Sequence, residues 1–255
     1  MKNNLSILAL SLLGIGLFSF SSCRKKDDDP APAAGKFKME FFNKVGNALL
    51  QMDNTWYKNE KGDSFTVSTF NYYISNIKFN PVSGSAFAET ESYHLLKQSD
   101  PASLTFDVSG IPAGQYKSVT FTIGVDSLRN VSGVQSGALD PAKGMFWSWS
   151  TGYIMLKLEG TSPVVTSSGN MFMLHAGGFS GANSVLRTIT LDFPAAVNVA
   201  GNEVHVHLEA DVLETLRTPN TWDLAKTPVI MSSNADAKQF ADNYRDMFRV
   251  TAAGN

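Results

Sequence analysis

From Phe37 onward, apolar and polar positions alternate with a period of two. Phe37, Met39 and Phe41 alternate with Lys38 and Glu40. Val119, Phe121, Ile123 and Val125 alternate with Ser118, Thr120 and Thr122, and Ile189, Leu191 and Phe193 with Thr188, Thr190 and Asp192. Val204, Val206, Leu208 and Ala210 alternate with His205, His207, Glu209 and Asp211. A period of two sets one face of a strand on a core and the other in water. Turn-forming residues punctuate the runs at 81–85, 109–114, 132–137, 167–170, 177–181 and 200–202. Many short strands between Gly- and Pro-containing loops predict an all-β fold, an antiparallel β-sandwich of the immunoglobulin-like or jelly-roll-like kind. The period changes near the end, where Phe240, Tyr244, Met247 and Phe248 form one helical stripe with Asp236 placed to cap it. The expectation is one β-sandwich domain over 37–255 with a short C-terminal helix as a lid.

The first residues follow another rule. Met1 to Asn4 carry one Lys, and Leu5 to Phe20 are apolar or small. Sixteen helical residues span roughly 24 Å, short of a membrane core of about 30 Å, so the segment fits a secretory signal peptide over 1–22. Phe20-Ser21-Ser22-Cys23 resembles a bacterial lipobox, in which the cysteine is lipidated. The stretch 23–36 has no aromatic or β-branched residue before its end and reads as a solvated tether. Its charged block beside Cys23 is similar to the surface-export signal of Bacteroidota lipoproteins. The expected location is the outer membrane through a lipid anchor, facing the cell surface or otherwise the periplasm.

Charge and cysteine content narrow the chemistry. Twenty-one Lys plus Arg against 23 Asp plus Glu leave a net charge of -2, with no basic excess to neutralise phosphates, so nucleic-acid binding is not expected. The one cysteine excludes internal disulfides and multi-cysteine metal sites. With Cys23 lipidated, no thiol nucleophile remains. No Gly-x-Ser-x-Gly elbow, His-Glu-x-x-His helix or phosphate-binding loop occurs, and the chain is not expected to be an enzyme.

Four histidines are available: His94, His175, His205 and His207. His205 and His207 share one strand face at a Cα spacing of about 7 Å, within reach of one ion. Glu209 and Asp211 continue that face, which fits an ordinary solvated strand equally well. In Met171-Phe172-Met173-Leu174-His175, alternation puts both thioethers beside the imidazole, a set that suits soft Cu(I) or a simple core filling. Trp147 and Trp149 would share a face in the densest aromatic run, as core or as a stacking platform.

Gly137-Ala138-Leu139-Asp140-Pro141, then Met145-x-Trp147-x-Trp149-x-x-Gly152-Tyr153 and Leu158-Glu159-Gly160, resemble the MbnP-like copper-binding family. So do Asn71-Tyr72-Tyr73-Ile74-Ser75-Asn76, His175-Ala176-Gly177 and Ala241-Asp242-Asn243-Tyr244. The resemblance implies Cu(I) held by two histidines and a kynurenine made from a tryptophan by a dihaem partner related to cytochrome c peroxidases. Carried over, the tryptophan is Trp147 or Trp149 and one histidine is His175, with His207, His205 and then His94 as choices for the second. The methanotroph proteins of the family lead one to expect cysteines after His175, and this chain has none there. The other reading is a structural or glycan-adhesion lipoprotein that uses exposed aromatics.

The N-terminal reading generates a direct test. Stable anchoring needs more than one acyl chain, each CH₂ contributing about 0.8 kcal/mol. Cys23→Ser should therefore move the protein from the membrane to the soluble fraction. Retention of that variant on outer membranes in high salt would overturn the lipoprotein reading.

Overall fold

The computed structural model describes residues 33–147 and 152–255. The expectations for the signal segment, for Cys23 and most of its tether, and for Trp149 lie outside the described residues.

In chain order the strands begin with β1 (Gly35–Val45), β2 (Ala48–Leu49), β3 (Tyr57–Lys58), β4 (Ser64–Phe65) and β5 (Thr69–Pro81). They continue as β6 (Phe87–Ala88), β7 (Tyr93–Lys97), β8 (Thr105–Ile111), β9 (Gly114–Ile123), β10 (Phe146–Trp147) and β11 (Gly152–Thr161). The last are β12 (Met171–Gly177), β13 (Arg187–Val199), β14 (Glu203–Asp211), β15 (Val229–Ile230) and β16 (Phe248–Gly254). Among the described residues three α-helices punctuate them: α1 (Ser127–Asn130), α2 (Val212–Thr215) and α3 (Ala235–Tyr244).

The strands build a β-sandwich. One sheet has the order β16-β14-β1-β2, with β8 also on β1. The larger sheet runs β13-β9-β5-β11-β12-β15, with β10 on β11 and both β6 and β7 on β5. Alternation drives the packing of each strand. Phe37, Met39 and Phe41 of β1 and Val204, Val206 and Leu208 of β14 are buried, while the residues between them face out. The inner faces meet through aromatic rings. Phe37 stacks on Phe79 of β5 with centroids 4.0 Å apart, and Phe248 of β16 meets Phe121 of β9 edge-on at 5.3 Å.

Two details depart from the expected pattern. The sandwich is mixed, because β1–β14 and β12–β15 pair in parallel. The C-terminal helix is α3, but Asn234 caps it by accepting from the Ala237 N–H, and Asp236 lies inside its first turn. Met247 lies past the helix and Phe248 opens β16, which packs on β14. A helical spacing of apolar residues thus continues into a strand whose first residue is also apolar. Among the described residues, no helix is long and apolar enough to cross a membrane.

Around the middle of β5 and the start of β11 the larger sheet is covered on its outer side as well. Along β5, Phe70, Tyr72 and Ile74 face the sandwich core, and Asn71, Tyr73 and Ser75 on the other side are buried too. The cover is the segment 126–147. The Tyr73 hydroxyl donates to the Ala138 carbonyl at 3.0 Å, and the Tyr153 hydroxyl donates to the Leu139 carbonyl at 2.6 Å.

Phe37 sits where β1, β5 and β9 meet, with Tyr116 edge-on at 5.6 Å. Phe37→Ala should cost about 3–5 kcal/mol through lost burial and the cavity left behind. Urea unfolding followed by far-ultraviolet circular dichroism measures this, and a loss under about 1 kcal/mol would contradict the packing described.

Candidate metal centre

The covering segment delivers a tryptophan to the sheet through short polar links. The Asp140 carboxylate accepts from the Ala142 N–H at 2.9 Å and starts a tight turn over Pro141–Lys143. Gly144 ends that turn with φ of 76°, a left-handed conformation that glycine adopts without a Cβ penalty. Its carbonyl accepts from the Lys157 ammonium at 2.9 Å, and the Met145 carbonyl accepts from the Ile154 N–H at 2.9 Å. Trp147 then pairs with Gly152 at the start of β11 and is 3% exposed.

His175 comes from the neighbouring strand. On β12, Phe172, Leu174 and Ala176 fill the sandwich core, so His175 points to the outer, covered side of the sheet. It stands opposite Lys157 and is 5% exposed. Gly177, two residues on, shares that face. A Cβ at Gly177 would meet the Trp147 ring at 2.2 Å, so the indole lies against this backbone, one side-chain position from the imidazole. Only glycine permits that approach.

The imidazole is held from one side. Its Nε2 lies 2.7 Å from Glu159 Oε1, and Thr69 Oγ1 donates to the other carboxylate oxygen at 2.8 Å. The hydrogen bond from His175, then that from Thr69 and the charge of Lys157, outweigh partial burial and lower the Glu159 carboxyl from 4.5 to about 2. Glu159 is therefore a carboxylate at neutral pH, and it fixes the proton of a neutral imidazole on Nε2. In that neutral form the lone pair is on Nδ1. This atom is buried and, among the described residues, has no hydrogen-bond partner.

A second cluster lies on the other sheet. His205 and His207 project from the outer face of β14 with ring centroids 6.4 Å apart, and Glu40 joins them from β1.

A model of the MbnP family matches residues 34–232. The chain belongs to the MbnP family. The solved structure of MbnP from Methylosinus trichosporium is similar to it at 13% identity and a TM-score of 0.47, over 79% of this chain and 82% of that one. Among curated proteins none matches.

Within this MbnP-family domain, the residues singled out from sequence fall into separate places. Trp147 and His175 come together. His205 and His207 come together elsewhere, on the outer face of the opposite sheet, so the structure does not join either to His175. His94 belongs to neither group, since it stacks on Phe106 of β8 at 3.7 Å and its Nε2 lies 2.9 Å from Glu89. Met173 shares the side of His175, whereas Met171 is 41% exposed at the strand end. The sequence reading gave no role to Glu159, Thr69 or Glu40. Their types offer no signal, because each is an ordinary polar position until strand register places it.

The acid limb of stability tests the Glu159 arrangement. A carboxyl lowered from 4.5 to about 2 in the fold stabilises it fully above pH 4.5 and loses that contribution as pH falls through 2. Urea-unfolding free energies should therefore fall less steeply between pH 4.5 and 2 in Glu159→Gln than in the parent. Equal slopes would contradict the bond to His175.

Proposed function

We propose that this MbnP-family protein is a lipid-anchored, extracytoplasmic copper-binding protein, with Cu(I) held by His175 and a kynurenine formed from Trp147. The observation that carries the reading is the buried Nδ1 atom of His175. An unsatisfied buried polar atom costs about 1–3 kcal/mol, and a metal ion accepting its lone pair removes that cost. The Glu159 carboxylate on the opposite nitrogen is the outer partner that orients a metal-binding histidine and raises its basicity. Imidazole suits copper, and the dry surroundings made by the 126–147 cover suit its monovalent state.

Trp147 supports the same reading through its place beside the imidazole. Trp149, outside the described residues, is the alternative source of the kynurenine. The modifying partner in this reading is a dihaem enzyme related to cytochrome c peroxidases, and Cys23 holds the protein on the outer membrane. The role is binding, with no turnover of substrate assigned. The glycan-adhesion reading needed exposed aromatics; Trp147 is buried and cannot serve it, whereas Trp56 and Phe42 are exposed.

Cu(I) competition titration of the protein from its native host tests the proposal. His175→Ala should abolish high-affinity binding, and Glu159→Gln should weaken it about 10–100-fold, as loss of an outer-shell partner does. Trp147→Phe should remove kynurenine absorbance and lower affinity. Unchanged affinity in both His175→Ala and Trp147→Phe would overturn the copper site.

A further inference from the structure

The cluster on β14 has a different chemistry from the His175 site and stands independently of the copper reading. Parallel pairing sets Glu40 of β1 directly opposite His207. Glu40 Oε2 lies 2.9 Å from His205 Nδ1 and 2.9 Å from His207 Nε2. On its far side, His205 Nε2 lies 2.9 Å from Glu203 Oε1. A neutral imidazole has one N–H and can satisfy one carboxylate. His205 faces a carboxylate at each nitrogen, and one oxygen of Glu40 serves two rings. The array therefore calls for an added positive charge between Glu40 and the histidines, either a proton or a cation.

The surroundings leave room for a cation. Among the described residues, the ion-pair partners of Glu40 are these two histidines, whereas Glu203 is also bound by Lys36 at 2.5 Å. On the other flank of β14, β16 places Gly254 opposite His205 and Ala252 opposite His207. With Ala253 and Asn255 they line an open pocket of about 390 Å³ beside both imidazoles. One pair further along, Glu209 is already neutralised by Lys44 and Arg249. The cluster is thus bounded: Lys38 stands opposite His205 on the same face, and among the described residues neither a Lys nor an Arg is ion-paired with Glu40.

We infer that Glu40, His205 and His207 form a site for a divalent first-row transition-metal ion of the Zn²⁺ type. Two imidazole nitrogens and one carboxylate oxygen are its ligands, and the pocket side is open to water. This is a borderline donor set, suited to Zn²⁺, Co²⁺, Ni²⁺ and Cu²⁺ and lacking the soft sulfur that favours Cu(I). The three ligand atoms lie within 4.8 Å of one another. Tetrahedral ligands at about 2.0–2.2 Å from an ion lie roughly 3.3–3.6 Å apart, so an ion entering between them needs the two 2.9 Å contacts of Glu40 to open only slightly. Glu203 then accepts the Nε2 proton of His205 while Nδ1 binds, which fixes the tautomer.

Co²⁺ is the probe, because its visible absorption reports the ligand environment. The full chain, purified in detergent, should bind one equivalent of Co²⁺ with visible bands that Zn²⁺ abolishes by displacement. His205→Ala, His207→Ala and Glu40→Gln should each lower the affinity more than about tenfold, at least what losing an outer partner costs. All three side chains are on the solvent side of β14 and β1, so circular dichroism of the variants should match the parent. His94→Gln, which breaks a histidine–carboxylate pair elsewhere, should leave the titration unchanged. Absence of Co²⁺ bands, or Co²⁺ binding unaltered in the three variants, would overturn the site and leave protons as the bridging charge.

Discussion

Burial on both faces of the part of the larger sheet where β5 and β11 pair is the constraint on which the rest of the structure depends. Along Phe70–Ser75 of β5 and Tyr153–Leu156 of β11 neither face is wet, because the aromatic core fills one side and the segment 126–147 covers the other. Any polar side chain on that outer side must therefore find partners inside the protein. Asn71, Ser75, Glu159 and His175 all occupy it or its margin. Ser75 donates to the Gly124 carbonyl at 2.7 Å, and Glu159 takes bonds from Thr69 and His175. His175 keeps one nitrogen outside this network. Its exposure of 5% makes that nitrogen expensive to leave alone and effective as a ligand.

The same residue type behaves differently across the sandwich. His205 and His207 stand half-exposed on a sheet face that water reaches, so electrostatic interactions there are screened. Selectivity follows from those surroundings. A dry imidazole beside an indole favours a soft ion of low charge, whereas two half-exposed imidazoles with a carboxylate favour a divalent one. On the two proposals made above, one domain offers separate sites to ions of different charge, with no cysteine among the described residues.

Much of the fold was legible because alternation on β1, β9, β13 and β14 is the direct imprint of one wet and one dry face. It failed where both faces are dry. Phe70 to Ser75 on β5 are buried without interruption, so no period marks them. The helix was legible from its stripe, but Phe248 belongs to the next strand, since an apolar residue fits either element and only the Asn234 cap and the turn after Tyr244 decide. Trp147 and His175 were legible as candidates because rare residue types stand in a distinctive run. Glu159 and Glu40 were not, for a physical reason. Each becomes part of a site through a register between strands, and register is set by how whole faces pack.

Register also explains why the β14 cluster is a consequence of the core. A slip of one residue in a strand sends every side chain to the opposite face. Were β1 displaced by one against β14, Phe37, Met39 and Phe41 would leave the interior where they are buried to 3% exposure or less. Burying a side chain of that size contributes about 1.5–3 kcal/mol, so three together outweigh any hydrogen bond on the outer face. The core thus dictates that Glu40 stand opposite His207. The outer face inherits its geometry from the inner one, and a pair of histidines two residues apart acquires its carboxylate from a strand 165 positions earlier in the chain.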